Sequence, residues 1–446
     1  MTRIRIRNGR VIDPTRRDEV IDLVVVDGRV DGFIAPSEGG AFDREIDAAG
    51  MIVAPGFVDL HCHLREPGFE DKETVETGVM AAVAGGFTTV CAMPNTSPTL
   101  DTAGDIEFVF AAGRRAGRAR VMPLGTVTRG EAGKELSDTA EMATAGAVAF
   151  SDDGRPVWDA RIMRYALADS LRHGKPVVNH CEDPTIADGG VMNEGPVSDL
   201  LGLRGMSRAA EDVMVARDIE LARHTGGRLH LAHISTEGSV RLLRRAKRDG
   251  LAVTAEVTPH HLTLTEDWVV APHANGDEEA AELRRSPALQ YDTRAKVNPP
   301  LRREDDRQAL IAAVAEGLID AIATDHAPHR SIDKDCTFDE AAFGISGLET
   351  ALGSLLQLVD AGQISLVDLI RRLTLDPCRT FGLPFGTLTI GAPADIVIFD
   401  PNATWTVDAS RFHSKGKNTP LDGHVLRGQV LMTLVDGNVV YEREAR

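Results

Sequence analysis

The chain has 446 residues, 43% of them hydrophobic, which is enough for two domains with one large core. Its formal net charge of -18 argues against the basic surface that a nucleic-acid partner needs. Five scattered cysteines, Cys62, Cys91, Cys181, Cys336 and Cys378, contain no CxxC pair, which argues against a disulfide framework and for a reducing cytoplasm.

The N-terminus, Met1-Thr-Arg-Ile-Arg-Ile-Arg7, lacks the apolar stretch of a signal peptide, and no run of about eighteen apolar residues predicts a membrane span. Short alternating runs follow: Ile4 to Arg7, Val11-Ile12, and Ile21 to Val26, the last closed by Asp27-Gly28. The C-terminus has the same character, with Thr387 to Ile390, Ala394 to Phe399, Val430 to Val435 and Val439 to Tyr441 as strands and Asp436-Gly437 as a hairpin turn. Neither end has helical periodicity. The two ends, 1–52 and 385–446, are therefore expected to pair into one small β-sandwich domain, the alternative being two separate β flaps.

The middle, 53–384, alternates apolar strands with segments rich in Ala, Leu, Glu and Arg. Strands are predicted at 56–61, 87–93, 120–126, 147–151, 176–180, 228–234, 251–257 and 319–324. Segments such as Glu73 to Ala84, Asp105 to Ala116, Arg161 to His173, Ala209 to Thr225 and Gly238 to Asp249 are long enough to be crossover helices. Eight such units predict an α/β fold, a parallel (β/α)8 barrel.

The strand ends carry the chemistry. In order they are His61, His63 and Arg65, then Asn95, Asp152 and Asp153, His180, His233, His260 and His261, and finally Asp325, His326 and His329; the third strand's end, Thr126 to Arg129, offers nothing comparable. A lone His or Asp is usually structural, but a barrel gathers all C-terminal strand ends on one face. His61 and His63 are two apart, so they point to one side of a strand, with Arg65 in register. His61, His63, His180 and His233 offer nitrogen and Asp153 and Asp325 offer oxygen, a set suited to Zn²⁺, with Mn²⁺ or Co²⁺ as alternatives. Such a set holds one ion or two, and two need a bridging ligand, for which Asp153 is the candidate. Asp325, at the last strand end, is the candidate proton carrier. Asp152 reads as an ordinary turn residue, Cys62 and Cys181 as packing, and His260, His261 and His326 as structural or supporting groups.

With these residues in view, the chain resembles the dihydroorotases of the amidohydrolase superfamily, in their longer bacterial form, over nearly its whole length. The resemblance rests on Pro55-Gly-Phe-Val-Asp-Leu-His-Cys-His-Leu-Arg-Glu-Pro-Gly68, Met93-Pro-Asn-Thr96, Asn179-His-Cys-Glu-Asp183, Leu231-Ala-His-Ile-Ser-Thr236, Val297-Asn-Pro-Pro-Leu301, Thr324-Asp-His-Ala-Pro-His329 and Phe343-Gly-Ile-Ser-Gly-Leu-Glu-Thr350. It implies a zinc-dependent, reversible interconversion of N-carbamoyl-L-aspartate and L-dihydroorotate in pyrimidine synthesis. By the same resemblance, Arg65, Asn95 and His329 hold the substrate carboxylate, His63 lies against the substrate, and Asn298 and the backbone of Phe343 and Gly344 contact the ring. Arg330 to Ala342 would be a mobile flap. The family also suggests a homodimer and docking with aspartate transcarbamoylase.

Two departures matter. Many relatives carry a carbamylated lysine at the end of the fourth strand, where this chain reads Phe150-Ser-Asp-Asp-Gly154; the branch that uses aspartate instead assigns this place to Asp153. Ala271 to Pro287 is charged, Ala-rich and longer than the family norm, and reads as a surface excursion. A hydantoinase or allantoinase would keep the lysine and has no need of Arg65 with Asn95. A non-catalytic partner of the transcarbamoylase would lack the ligands, all of which are present.

Overall fold

The structure, a computed structural model, describes residues 2–36, 39–271 and 290–444. The N-terminal strands are β1 (Arg3–Arg7), β2 (Arg10–Asp13), β3 (Arg17–Val20), β4 (Asp22–Val26), β5 (Arg29–Ile34), β6 (Arg44–Asp47) and β7 (Ile52–Pro55). There follow β8 (Phe57–Cys62), β9 (Phe87–Ala92), β10 (Arg120–Pro123), β11 (Phe150–Ser151) and β12 (Val177–Asn179), and then a short pair, β13 (Met192–Asn193) and β14 (Gly205–Met206). Strands β15 (Leu229–Leu231) and β16 (Val253–Val257) precede a second short pair, β17 (Val270–Ala271) and β18 (Gln290–Tyr291), and then β19 (Ala321–Ile322). The chain closes with β20 (Ile396–Thr406), β21 (Val425–Val435) and β22 (Asn438–Glu442).

The two ends share one sheet. Its order is β22-β21-β20-β7-β2-β3, so N-terminal and C-terminal strands are neighbours and not separate flaps. A second sheet, β5-β4-β1-β6, packs against it across Ile6, Val11, Leu23, Val25, Val53, Ile396, Ile398 and Leu434. The hairpin turns are the Asp-Gly pairs legible in the sequence: Asp436 and Gly437 have φ of 47° and 73°, and Asp27 and Gly28 have 46° and 79°. Positive φ at both central residues matches the twist of the flanking strands, which is why Asp-Gly serves there.

Strands β8, β9 and β10 pair in parallel, as do β11, β12, β15, β16 and β19. Two parallel bridges, Gly125 with Phe150 and Cys62 with His326, join these groups into a closed eight-stranded barrel. At the second seam, His63 N–H donates to His326 O at 2.8 Å. Helices Val75–Ala84, Ala103–Ala116, Ala160–His173, Ala209–Thr225 and Glu237–Arg248 lie where the crossovers are predicted, with Thr74, Thr102, Asp159 and Thr236 capping four of their N-termini. Val58, Leu60, Cys91, Leu124, Val178 and Ala321 fill the lumen, into which the helix Leu375–Phe381 inserts Cys378 and Phe381. Among the described residues, no helix is long and apolar enough to cross a membrane. The excursion read at 271–287 lies outside the described residues from 272 onward.

Candidate active site

Val58 and Leu60 face the barrel lumen, while Cys62 packs in the outer layer against the helices. Strict alternation cannot give that pattern. The register of β8 on β9 slips by one residue between Asp59 and Cys62, and this bulge turns His61 and His63 toward the barrel mouth. Their rings lie 5.3 Å apart. Backbone strain gathers at the same rim: Arg65, His233 and Asp325 have φ of 62°, 29° and 46°, values rare for residues with a side chain.

Around Asp153 the predicted side chains converge. Its Oδ1 lies 3.4 Å from His61 Nε2, 3.4 Å from His233 Nε2 and 3.9 Å from His180 Nδ1. Its Oδ2 lies 3.4 Å from His63 Nε2. Asp325 Oδ1 faces His63 Nε2 at 3.1 Å and His61 Nε2 at 3.6 Å. Two triads thus share His61: His61, Asp153 and His233, and His61, His63 and Asp325. His180 stands at the edge, 3.1 Å from His233 Nε2.

These residues fit a divalent metal. Ligand atoms about 2.0–2.2 Å from a tetrahedral ion sit about 3.3 Å from one another, close to the separations above. His61 Nε2 and Asp153 Oδ1 are buried without a hydrogen-bond partner, as metal-facing atoms would be. The nitrogen and oxygen donor set is that of zinc, and the two triads form candidate zinc sites. Burial would raise the Asp153 carboxyl, but the His61 charge and the His233 contact hold it well below the usual range. Asp325 is likewise kept low, with the His63 hydrogen bond and nearby imidazolium charge outweighing its burial.

A layer of partners that the sequence reading missed orients these groups. His61 Nδ1 meets Glu256 Oε1 at 2.7 Å; Glu256 Oε2 meets His230 Nε2 at 3.1 Å, and His230 Nδ1 meets Thr254 Oγ1 at 2.8 Å. Asp59 accepts from Thr324 N at 2.8 Å and Thr324 Oγ1 at 2.5 Å, fixing the strand end that carries Asp325. Asn95 Oδ1 lies 2.9 Å from His63 Nδ1, while its Nδ2 donates to Asp153 O at 3.2 Å. Asp152 is not an ordinary turn residue. It is buried and accepts from Val127 N and Thr128 N at 2.8 and 2.9 Å, so the third strand's end supplies the support of the fourth. Glu256 and Asp59 were detectable as single carboxylates inside otherwise apolar barrel strands.

On the other side of the mouth, Arg65 Nη2 lies 3.3 Å from His329 Nε2, and Arg65 Nε donates to Pro328 O at 3.4 Å. Among the described residues, no carboxylate pairs with Arg65. Burial lowers its pKa to about 10, so it is still charged at neutral pH. Burial, with the Arg65 and Lys334 charges, depresses His329 to about 2 and keeps it neutral; its Nε2 meets Phe343 O at 2.8 Å. Asn298 Nδ2 donates to Glu182 Oε2 at 2.7 Å and lies 3.3 Å from His180 Nε2, leaving its Oδ1 buried without a partner. Gly344 has φ of 142°, and a Cβ there would meet Ala327 Cβ at 2.7 Å and His329 Cδ2 at 3.2 Å. Asn418, from the C-terminal segment, staples this arm: it accepts from His329 N and donates to Ala327 O and Gly344 O, each at 2.9 Å. In the expected flap, 330–342, Lys334, Phe338 and Ala341 are buried while Ile332 and most of the polar residues are exposed. His261 bonds Thr258 and Pro299 O, and His326 lies between Glu73, Ser414 and Gly347; both are structural.

Comparison with known proteins agrees with this geometry. A family model described as Dihydro-orotase-like matches residues 50–239, and one described as Amidohydrolase family matches residues 184–441. The chain is 50% identical to a dihydroorotase of Anaeromyxobacter dehalogenans over 98% of each chain. It is 48% identical to one of Pelotomaculum thermopropionicum over 99% of each. Among solved structures, L-hydantoinase (dihydropyrimidinase) from Arthrobacter aurescens superposes with a TM-score of 0.84 at 26% identity, covering 99% of this chain and 96% of that one.

Proposed function

The chain belongs to the dihydroorotases of the amidohydrolase family, and from that premise we propose that it catalyses the reversible interconversion of N-carbamoyl-L-aspartate and L-dihydroorotate in pyrimidine synthesis. The observation that carries this substrate is Arg65, a largely buried guanidinium without a carboxylate partner among the described residues, set beside the His and Asp cluster. An unpaired buried charge is costly. A substrate carboxylate relieves that cost, whereas the neutral rings of hydantoin or dihydrouracil do not.

In this reading His61, His63, Asp153, His180, His233 and Asp325 hold one or two Zn²⁺ ions. If two ions were bound, Asp153 would be the candidate bridging ligand, a reading supported by its two oxygens facing different histidines. Zinc held there supplies an acidified water and Lewis-acid polarisation of the ring carbonyl. Asp325, kept ionised by its histidine neighbours, takes a proton from the attacking water. It returns that proton to the ring nitrogen as the amide C–N bond breaks, and the reverse sequence closes the ring. Arg65 binds the substrate carboxylate through charge-assisted hydrogen bonds; the second Nδ2 hydrogen of Asn95, and the Nε2–H of His329 once it turns from Phe343 O to the substrate, complete its recognition. Asn298, through its unpartnered Oδ1, and the Phe343–Gly344 backbone border the ring. The catalytic barrel is taken as 53–384 and the β-sandwich as 1–52 with 385–446; the sheet that β2, β7 and β20 share supports the joining of the two ends and carries the sandwich on to Pro55. The cytoplasmic assignment is supported by five cysteines that are all free thiols. A homodimer and docking with aspartate transcarbamoylase rest on the sequence resemblance.

The test is turnover of L-dihydroorotate, dihydrouracil, hydantoin and allantoin, with zinc content measured per chain. Dihydroorotate alone should be hydrolysed efficiently. A comparable kcat/KM on any neutral ring would overturn the assignment.

A further inference from the structure

Two lysines that have no place in the chemistry above are nearly inaccessible. Lys296 is 2% exposed and Lys334 is 6% exposed. Neither has a carboxylate within ion-pair distance among the described residues. Lys334, in the segment that covers the mouth, donates to Thr293 O at 3.1 Å, Lys296 O at 3.0 Å and Ala342 O at 2.6 Å. These use all three donors of its ammonium group. Lys296, in the segment leading to Asn298, reaches the other way: its Nζ donates to Phe338 O at 2.7 Å and Asp339 O at 3.1 Å, and lies 4.3 Å from the centre of the Phe343 ring. The carbonyl of Lys296 also accepts Gly344 N–H at 2.9 Å.

Each segment thus sends one ammonium into the backbone of the other. The first, 293–298, ends in Asn298. The second, 329–344, begins at His329 and ends at Phe343 and Gly344. Apolar side chains could hold two loops together without the desolvation cost of two buried ammonium groups. Fixed hydrogen bonds to four carbonyls of the facing segment add something apolar packing lacks: they define the register and the angle between the loops. We propose that Lys296 and Lys334 form a reciprocal clasp that sets substrate affinity by holding Asn298 in register with His329, Phe343 and Gly344. Both lysines are positioning residues. The clasp rests on the substrate reading above, and it makes the cover over the mouth a preassembled part of the binding surface.

The experiment is steady-state kinetics on L-dihydroorotate with the zinc-loaded wild type, Lys334→Met, Lys296→Met and the double variant, alongside zinc content. The wild type must turn over dihydroorotate; if it does not, the substrate reading fails before the clasp is tested. Given that activity, each single variant should raise KM at least tenfold, keep kcat within threefold and keep its zinc. The double variant should be less than additive in KM, because both lysines join the same two segments. An unchanged KM, a fall in kcat at constant KM, or full additivity would overturn the clasp. If the variants do not fold, hydrogen exchange on the wild type decides. On addition of N-carbamoyl-L-aspartate, 293–298 and 330–344 should gain protection together, and independent responses would overturn it.

Discussion

The carboxylate of Glu256 stands 2.7 Å from Nδ1 of His61 and, through its other oxygen, 3.1 Å from Nε2 of His230, all three side chains being buried in the barrel. An ionised carboxylate only accepts, so His61 must hold a proton at Nδ1, which makes Nε2, facing Asp153 and Asp325, the nitrogen that can ligate a metal once its own proton is lost. The His61 and His230 bonds outweigh burial and hold Glu256 at about 2, so it stays ionised across the working pH range.

Glu256→Gln should therefore weaken zinc binding. A neutral amide can present its N–H to His61 and invert the ring's tautomer. The expected loss is about 10–100-fold in affinity, read by competition with a chromogenic chelator. The circular dichroism spectrum should be unchanged.

Asp325→Asn should remove turnover while keeping the fold and the substrate site. Loss of a general acid–base group costs roughly 100- to 10,000-fold in kcat. Stopped assays with purified, zinc-loaded protein would show it, and a kcat near wild type would remove Asp325 from proton transfer.

Arg65→Ala should raise KM for dihydroorotate by roughly 10- to 100-fold, the equivalent of about 1.5–3 kcal/mol for a hydrogen-bonded charge. Any residual turnover of dihydrouracil should change little. A parallel loss on both rings would contradict recognition of the carboxylate.

Gly344→Ala should both destabilise and impair. At φ of 142°, with Ala327 Cβ 2.7 Å from the new methyl, the loop must move away from His329. The strain is worth about 1–3 kcal/mol, measurable in a denaturant titration, and the shift of His329 should appear as a raised KM.

Glu349 gives a pH signature remote from the chemistry. Burial lifts its carboxyl from 4.5 to about 7, against hydrogen bonds from the His413 and Ser414 amides. The folded state therefore holds its proton to a higher pH than the unfolded state does. The stability this contributes is fully present below about 4.5 and is lost as pH rises through about 7. Glu349→Gln should raise Tm relative to wild type at pH 8, by on the order of 1–3 kcal/mol in stability, and give no such gain at pH 4.5.

The barrel and its mouth were legible because each parallel strand, buried on both faces, is a short apolar run, and the polar residue that ends it stands out. His61, His63, Asp153, His180, His233 and Asp325 are all of this kind. Glu256 and Asp59 lie inside such runs, where a carboxylate reads as an exception until the partners His61, His230 and Thr324 are seen to be neighbours. The role of Asp152 depended on the Val127 and Thr128 amides, which carry no side-chain signal. The cover segment read as a mobile flap because its polar composition suggests exposure; the burial of Lys334 and Lys296 comes from contacts some forty residues apart in sequence. The one-residue bulge in β8 left no mark on the sequence, although the orientation of both histidines depends on it.

The seam between β8 and β19 also orders events on the ribosome. Asp59 precedes its partner Thr324 by 265 residues, and the staple Asn418 is made later still. A nascent chain can carry most of the zinc-facing histidines while the reaction mouth is still open, and a premature stop anywhere before Asn418 yields a product without its substrate arm fastened. The substrate arm is thus fastened only after the Asn418 segment has been made.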